Sequence, residues 1–181
     1  MAWMKSIPGG GGESSRFSRP RQEGGLVRIV IDTREQAPFD FEDMDCEVVT
    51  AALPTGDYSL CALEDKIAIE RKSLTDLVGC LTGSNRDRFE RELSRARGLD
   101  YFAVVVEAAF GDLSAKAYHG GMAPHAAAQS ILAFQVRYRT HFIWAGTRPA
   151  AKYVTFWLLS KFLRESKLRY ENILKLHGAE S

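Results

Sequence analysis

Cysteine is nearly missing from this chain. Cys46, Cys61 and Cys80 are the whole complement, odd in number and without a Cys-x-x-Cys pair. That excludes a disulfide framework and a zinc knuckle, and it fits a reducing compartment. Histidine is as sparse: His119, His125, His141 and His177 show no metal-ligand spacing and read as surface or satisfied core residues. No apolar run approaches the roughly 18–20 residues of a membrane span. Met1 to Pro8 is too short and too interrupted by polar residues for a signal peptide. Charge of one sign is lacking too. The 24 basic residues against 23 acidic leave +1, so a polyanionic partner must be argued from local clustering. The expectation is a cytoplasmic protein without a membrane partner.

What is present fits one domain of ordinary size behind a tail. Residues 1–25 are rich in Gly, Ser and Arg and poor in apolar side chains, so they are expected to form a flexible tail. The glycines at 9–12 have no preceding strand and no Gly-Lys-Ser/Thr after them, so they make no phosphate loop. Order is expected from residue 26 to 181. LVRIVID (26–32), CEVVTAAL (46–53), YFAVVVE (101–107) and HFIWAG (141–146) read as strands, and DYSLCAL (57–63) with DKIAIERK (65–72) as a hairpin. Ser73 with Asp76 resembles a helix start. RDRFERELSRAR (86–97), the segment from Pro124 to about Arg139, and residues 149–166 read as further helices, the last built on Ala150, Val154, Trp157, Leu158 and Phe162. Strands come first and helices then alternate with them, which predicts an α/β domain with a mixed central sheet flanked by helices.

Acidic residues fall at predicted strand ends: Asp32, Asp57 and Glu70. Side chains alternate along a strand, so Glu70 and Lys72 share a face and Arg71 takes the other. Two carboxylates, Asp57 and Glu70, supply hard oxygen donors for a divalent cation. Such a cation activates water and offsets charge on a phosphodiester. Lys72 beside it would orient that water and stabilise the developing charge.

Gly56-Asp57, a spacer, Glu70-Arg71-Lys72, three residues and Asp76 together resemble the signature of the XPF-type structure-specific endonucleases, a variant of the restriction-endonuclease-like core. The turn IDTRE and the helix DRFERELSRARGL are similar to neighbouring elements of that family, and the likeness spans residues 26–165. It implies a restriction-endonuclease-like fold and a metal-dependent DNA endonuclease acting on branched or flap-like DNA in repair, recombination or replication. Asp57 and Glu70 become the metal ligands for Mg2+ or Mn2+ and Lys72 the catalytic lysine, while Asp32 and Glu35 hold the metal or its waters. Arg71 makes a phosphate contact or an internal ion pair. Asp76 either restrains Lys72 or Arg71 or serves as a first-turn dipole partner.

Arg34 and Arg86 are candidates for DNA contact. Arg88, Arg91 and Arg95 read either as further contacts or as a solvated face laced to Glu90 and Glu92. The residues after Glu165 are too few for the helix-hairpin-helix domain of eukaryotic and archaeal members, so a stand-alone unit of the bacterial or phage kind is expected, nucleoid-associated or phage-encoded in a bacterial host. A catalytically silent DNA-binding or scaffolding subunit is the alternative, and the intact Asp57, Glu70 and Lys72 argue against it. Residues 124–166 carry Phe134, Tyr138, Phe142, Trp144, Tyr153, Phe156, Trp157 and Phe162. This aromatic surplus reads either as a thick core or as a homodimer surface, and the dimer is the expectation.

Overall fold

The computed structural model describes residues 26–178. The expected tail over residues 1–25 lies outside the described residues. Six strands are present: β1 (Val27–Asp32), β2 (Cys46–Ala51), β3 (Tyr58–Leu60), β4 (Ile67–Lys72), β5 (Tyr101–Val106) and β6 (His141–Trp144). The helices are α1 (Leu74–Gly79), α2 (Gly83–Ala96), α3 (Phe110–Ser114), α4 (Pro124–Tyr138) and α5 (Arg148–Leu176). The strands form one sheet in the order β2-β1-β3-β4-β5-β6. The β1–β3 and β3–β4 pairs are antiparallel and the other three parallel, so the sheet is mixed, as the pattern predicts.

Two cores cover the two faces. On one, Phe102, Val104 and Val106 of β5 meet Leu77 of α1, Phe89 and Leu93 of α2, and Ile131 and Phe134 of α4. On the other, Ala103 and Val105 meet Ala151, Phe156 and Leu159 of α5, with Phe39 and Phe41 from the β1–β2 connection. A central strand buried on both sides must be apolar throughout, which is why YFAVVV has no alternation. β4 follows the same geometry until its last turn. Ala68 faces α1 and α2, while Ile67 and Ile69 face α5.

Several elements depart from the sequence expectation. α2 begins at Gly83 instead of Arg86, with Thr82 extended at its N-cap position. The short α3 was not anticipated, because five residues carry too little periodicity to read. α5 runs on to Leu176 rather than stopping near residue 166. Its apolar stripe fades there, but Arg164–Leu176 contains no breaker and is rich in good helix formers.

The buried residues of α5 are Ala151, Thr155, Phe156 and Leu159, whereas Ala150, Val154, Trp157, Leu158 and Phe162 lie half-buried on its flanks. The aromatic surplus is therefore mostly core. Phe134 and Phe156 are almost fully inaccessible, and Phe156 packs on Phe41 with ring centroids 6.5 Å apart. The large apolar side chains that do face solvent within residues 124–166 are Leu132 and Val136 of α4.

Candidate active site

β1, β3 and β4 deliver their acidic residues to one end of the sheet because their backbones are laced together there. The Asp32 N–H donates to the Asp57 carbonyl at 2.8 Å, and the Asp57 N–H donates to the Ile69 carbonyl at 2.8 Å. Gly56 makes this approach possible. Its φ is +78°, and a Cβ there would lie 2.9 Å from the Ala68 Cβ and 3.1 Å from the Ile69 oxygen. Any other residue would push Asp57 away from β4.

Asp57 Oδ2 accepts the Arg71 N–H at 2.7 Å, while Oδ1 takes no hydrogen bond among the described residues. Burial, and then the Glu70 charge, push the Asp57 carboxyl up from its ordinary 3.8 to about 7. Glu70 is buried and ion-paired with Lys72 through Oε1. Burial raises its carboxyl against the pull of Lys72, and the Glu92 carboxyl abutting it from α2 adds to the rise. Burial opposes the Lys72 charge, but Glu70 outweighs it, so the ammonium is held firmly charged. Nζ lies 5.8 Å from the Phe89 ring centroid.

These groups open into a cleft of about 950 Å3. Asp32, Asp57, Glu70 and Lys72 form its floor, Arg34 and Gln36 one edge, Thr75 and Asp76 another. Helix α2 supplies the wall with Arg88, Arg91, Glu92 and Arg95. Arg88, Arg91 and Arg95 make no ion pair among the described residues, so the lacing to Glu90 and Glu92 does not occur. Glu90 instead pairs with Arg86 and Arg137 and accepts from the Tyr138 hydroxyl at 2.8 Å. Glu92 turns to Glu70.

Asp32 reaches the cleft already engaged. Its Oδ1 accepts the Arg34 N–H and Nε, both at 2.7 Å, and its Oδ2 accepts the Leu53 N–H at 2.6 Å and Arg34 Nη2 at 2.8 Å. The Arg34 hydrogen bonds, opposed by burial and reinforced by Leu53, hold its carboxyl at about 2. Asp32 thus shapes the turn and presents Arg34 at the cleft edge. Asp76 is the partner of the α1 cap: its N–H donates to Ser73 Oγ at 3.1 Å, and that hydroxyl donates to Asp76 Oδ2 at 2.6 Å. It faces the cleft without bonding Lys72 or Arg71.

Three residues singled out from the sequence stand elsewhere. Arg71 points to the opposite face, as alternation requires, and makes an internal ion pair: Nε and Nη2 donate to Glu35 at 3.1 and 3.0 Å, Nη1 to Glu107 at 3.3 Å. Glu35 is spent on Arg71 and on the Ala37 N–H, at 2.6 Å, so it lines no part of the cleft. Arg86 is a packing residue. Its Nη1 donates to the Leu81 carbonyl and to Ser130 Oγ, it pairs with Glu90, and its guanidinium lies 4.6 Å from the Phe134 ring centroid. Sequence reasoning gave Glu92 only a pairing role on a solvated face, and it passed over Gln36 and Glu107. The i, i+4, i+7 spacing of Arg88, Glu92 and Arg95 was the available signal for a shared helix face. Nothing local marks Gln36 or Glu107.

Among the described residues no group of three or more His, Cys, Asp and Glu side chains is placed to hold a metal ion unaided. Asp57 and Glu70 nevertheless fit one. They are neighbouring, poorly hydrated carboxylates whose mutual repulsion a hard divalent cation would relieve, with the remaining positions left to water and carbonyl oxygen, as Mg2+ prefers. Among the described residues no helix is long and apolar enough to cross a membrane.

No curated protein matches the sequence. Among solved structures, XPF from Aeropyrum pernix is similar with a TM-score of 0.59 and 21% identity, covering 82% of this chain and 69% of that one. XPF from Aeropyrum pernix in complex with DNA is similar with a TM-score of 0.57 and 19% identity, covering 77% of this chain and 66% of that one. At such identity the likeness speaks for the fold alone, which is that of the XPF nuclease unit. The ERCC4 domain model matches residues 31–155, the stretch from the end of β1 into α5, and on that match the chain belongs to the ERCC4-domain family.

Proposed function

We propose that the chain is a divalent-metal-dependent DNA endonuclease, using Mg2+ or Mn2+, that cuts branched or flap-like DNA in repair, recombination or replication. The observation that carries the reading is the charge layout of the cleft. An acidic floor with one lysine is walled by three arginines on α2 that form no ion pair among the described residues, and is edged by Arg34. A floor that attracts a cation beneath a rim that attracts phosphates suits a polyanion cut by a metal-assisted reaction. Membership of the ERCC4-domain family supports the same class, as does the similarity to an XPF structure in complex with DNA.

Asp57 and Glu70 would hold the metal, which when bound acidifies water and offsets phosphate charge. Lys72, kept charged by Glu70, faces the same space and stabilises negative charge building on the phosphodiester. Arg88, Arg91 and Arg95 span about 10 Å of helix axis, longer than the ~3.4 Å rise between phosphates of one strand, so they can meet more than one. Arg34 would contact the strand from the facing edge. Asp32, Asp76, Glu35 and Arg71 act by shaping the site. The chain is read as a homodimer through residues 124–166, with Leu132 and Val136 rather than the buried aromatics at the contact.

The test is incubation with labelled duplex, flap, splayed-arm and single-stranded DNA, with Mg2+, Mn2+ or EDTA. Cleavage of a branched substrate only with metal is the expected result. Binding without cleavage under every condition would favour the silent subunit.

A further inference from the structure

Arg148 opens α5 with the wrong sign of charge. A cation in the first turn faces the positive end of the helix dipole, and that turn holds no acidic residue to offset it. Its contacts account for the placement. Nη1 donates to Glu107 Oε1 at 2.7 Å, and Nη2 donates to the carbonyls of Ala37 and Pro38 at 2.7 and 3.0 Å. The guanidinium also lies 4.9 Å from the Phe39 ring centroid. Glu107, one residue past β5, takes Arg71 Nη1 on the same oxygen, and its N–H donates to the Lys72 carbonyl at 2.9 Å. Arg148, Glu107, Arg71 and Glu35 thus form a row of alternating sign. Arg71, its third member, is the residue whose N–H holds Asp57 Oδ2.

We infer that Glu107 and Arg148 are positioning residues for the Asp57–Glu70 site, fixing Arg71 from the α5 side and with it the N–H that aims Asp57. Neither residue lines the cleft. Glu107 grips two successive positions of the active strand, the Arg71 side chain and the Lys72 backbone. Arg148 ties that grip to the segment after Glu35 through a planar fork that reaches a carboxylate and two carbonyls together, which a lysine cannot do. Groups behind a metal ligand commonly change metal affinity 10–100-fold when altered.

The inference rests on the metal reading above, so the test separates the two. Mn2+ binding to the full chain is followed by the electron paramagnetic resonance signal of free Mn2+, with thermal melting in EDTA reporting the fold. Glu107→Gln is expected to bind Mn2+ about tenfold more weakly while still melting cooperatively. Arg148→Lys, which keeps the charge and loses the fork, is expected to shift affinity in the same direction, and it carries the test if Glu107→Gln does not fold. Arg137→Ala, which removes an exposed pair to Glu90, should leave Mn2+ affinity as it was whatever it does to melting. Wild-type affinity in the folded Glu107 and Arg148 variants, with binding lost in Asp57→Asn, overturns this inference and leaves the metal reading standing. Absence of Mn2+ binding in the unaltered chain, or its persistence in Asp57→Asn, overturns the metal reading itself.

Discussion

Asp57 is held in a state that only a cation or a proton relieves. Its folded carboxyl titrates near 7 against an ordinary 3.8, so between those values the folded chain holds a proton that the unfolded chain releases. Stability of the metal-free protein therefore rises as pH falls from about 7 to about 4, and declines as pH rises through 7. At about 1.4 kcal/mol per unit, the effect is on the order of a few kcal/mol. Melting in EDTA should show Asp57→Asn more stable than the unaltered chain at pH 8, with that advantage shrinking through pH 5 and lost near pH 4. A flat difference across this range would mean that Asp57 is not desolvated. The same proton competes with metal, so Mn2+ affinity should climb with pH up to about 7 and level off above it. Gly56 is the second residue on which the site depends. Gly56→Ala combines a positive φ with a 2.9 Å contact to Ala68, for an expected cost of about 1–3 kcal/mol in denaturant unfolding and a loss of metal affinity. Unfolding at the original midpoint would contradict the role assigned to it.

Helix α2 shows how much of the site a sequence exposes at the scale of one element. Alternation along β4 was enough to place Glu70 and Lys72 on one face and Arg71 on the other, because a strand's period is fixed by its backbone. The facing of α2 was not equally legible. Its arginines recur around much of the helix, and only the packing of Phe89 and Leu93 against the sheet decides which of them overlook the cleft. Arg86 looked the best placed for DNA but is turned towards α4, where Glu90, Ser130 and Phe134 occupy it. The two kinds of arginine should separate experimentally. Replacing Arg88, Arg91 and Arg95 with Ala is expected to weaken DNA binding and to flatten its dependence on log salt by about 2–3, at ~0.7–0.9 per phosphate contact. Arg86→Ala should leave that slope unchanged and cost about 1–2 kcal/mol in stability through the lost ion pair and ring contact. The reverse pattern would exchange their roles. The far end of α5 makes a third contrast. Leu168, Tyr170, Ile173 and Leu176 face solvent, so ending the chain after residue 168 should change unfolding stability by less than about 0.5 kcal/mol.

Across the whole molecule, the mixed sheet and its two covered faces follow from patterns visible in the sequence, whereas the strand order and the depth of coverage do not. The aromatic run of residues 134–162 looked too large for one small core. Phe39 and Phe41, sixteen or so residues before the nearest part of the motif, fold back over Tyr58 and Phe156 and absorb it. A connection between strands carries no periodic signal, so its place in the core could not be read in advance. Self-association would then fall to the exposed Leu132 and Val136. Light scattering at tens of micromolar protein should give about twice the 20.2 kDa chain mass, and Val136→Glu should return it to the monomer without altering the melt. A monomer mass in the unaltered chain would refute the dimer. The cleft is lined within one chain, so the proposed cleavage does not depend on that result. Cleavage of an end-labelled flap substrate tells whether the Asp57–Glu70 cleft is a metal-dependent nuclease site. The unaltered chain is expected to cut with Mg2+ or Mn2+ and not with EDTA, and Asp57→Asn, still folded and still bound to the DNA, is expected to cut with neither metal. Equal cutting by Asp57→Asn, or undiminished cutting in EDTA, would contradict that assignment.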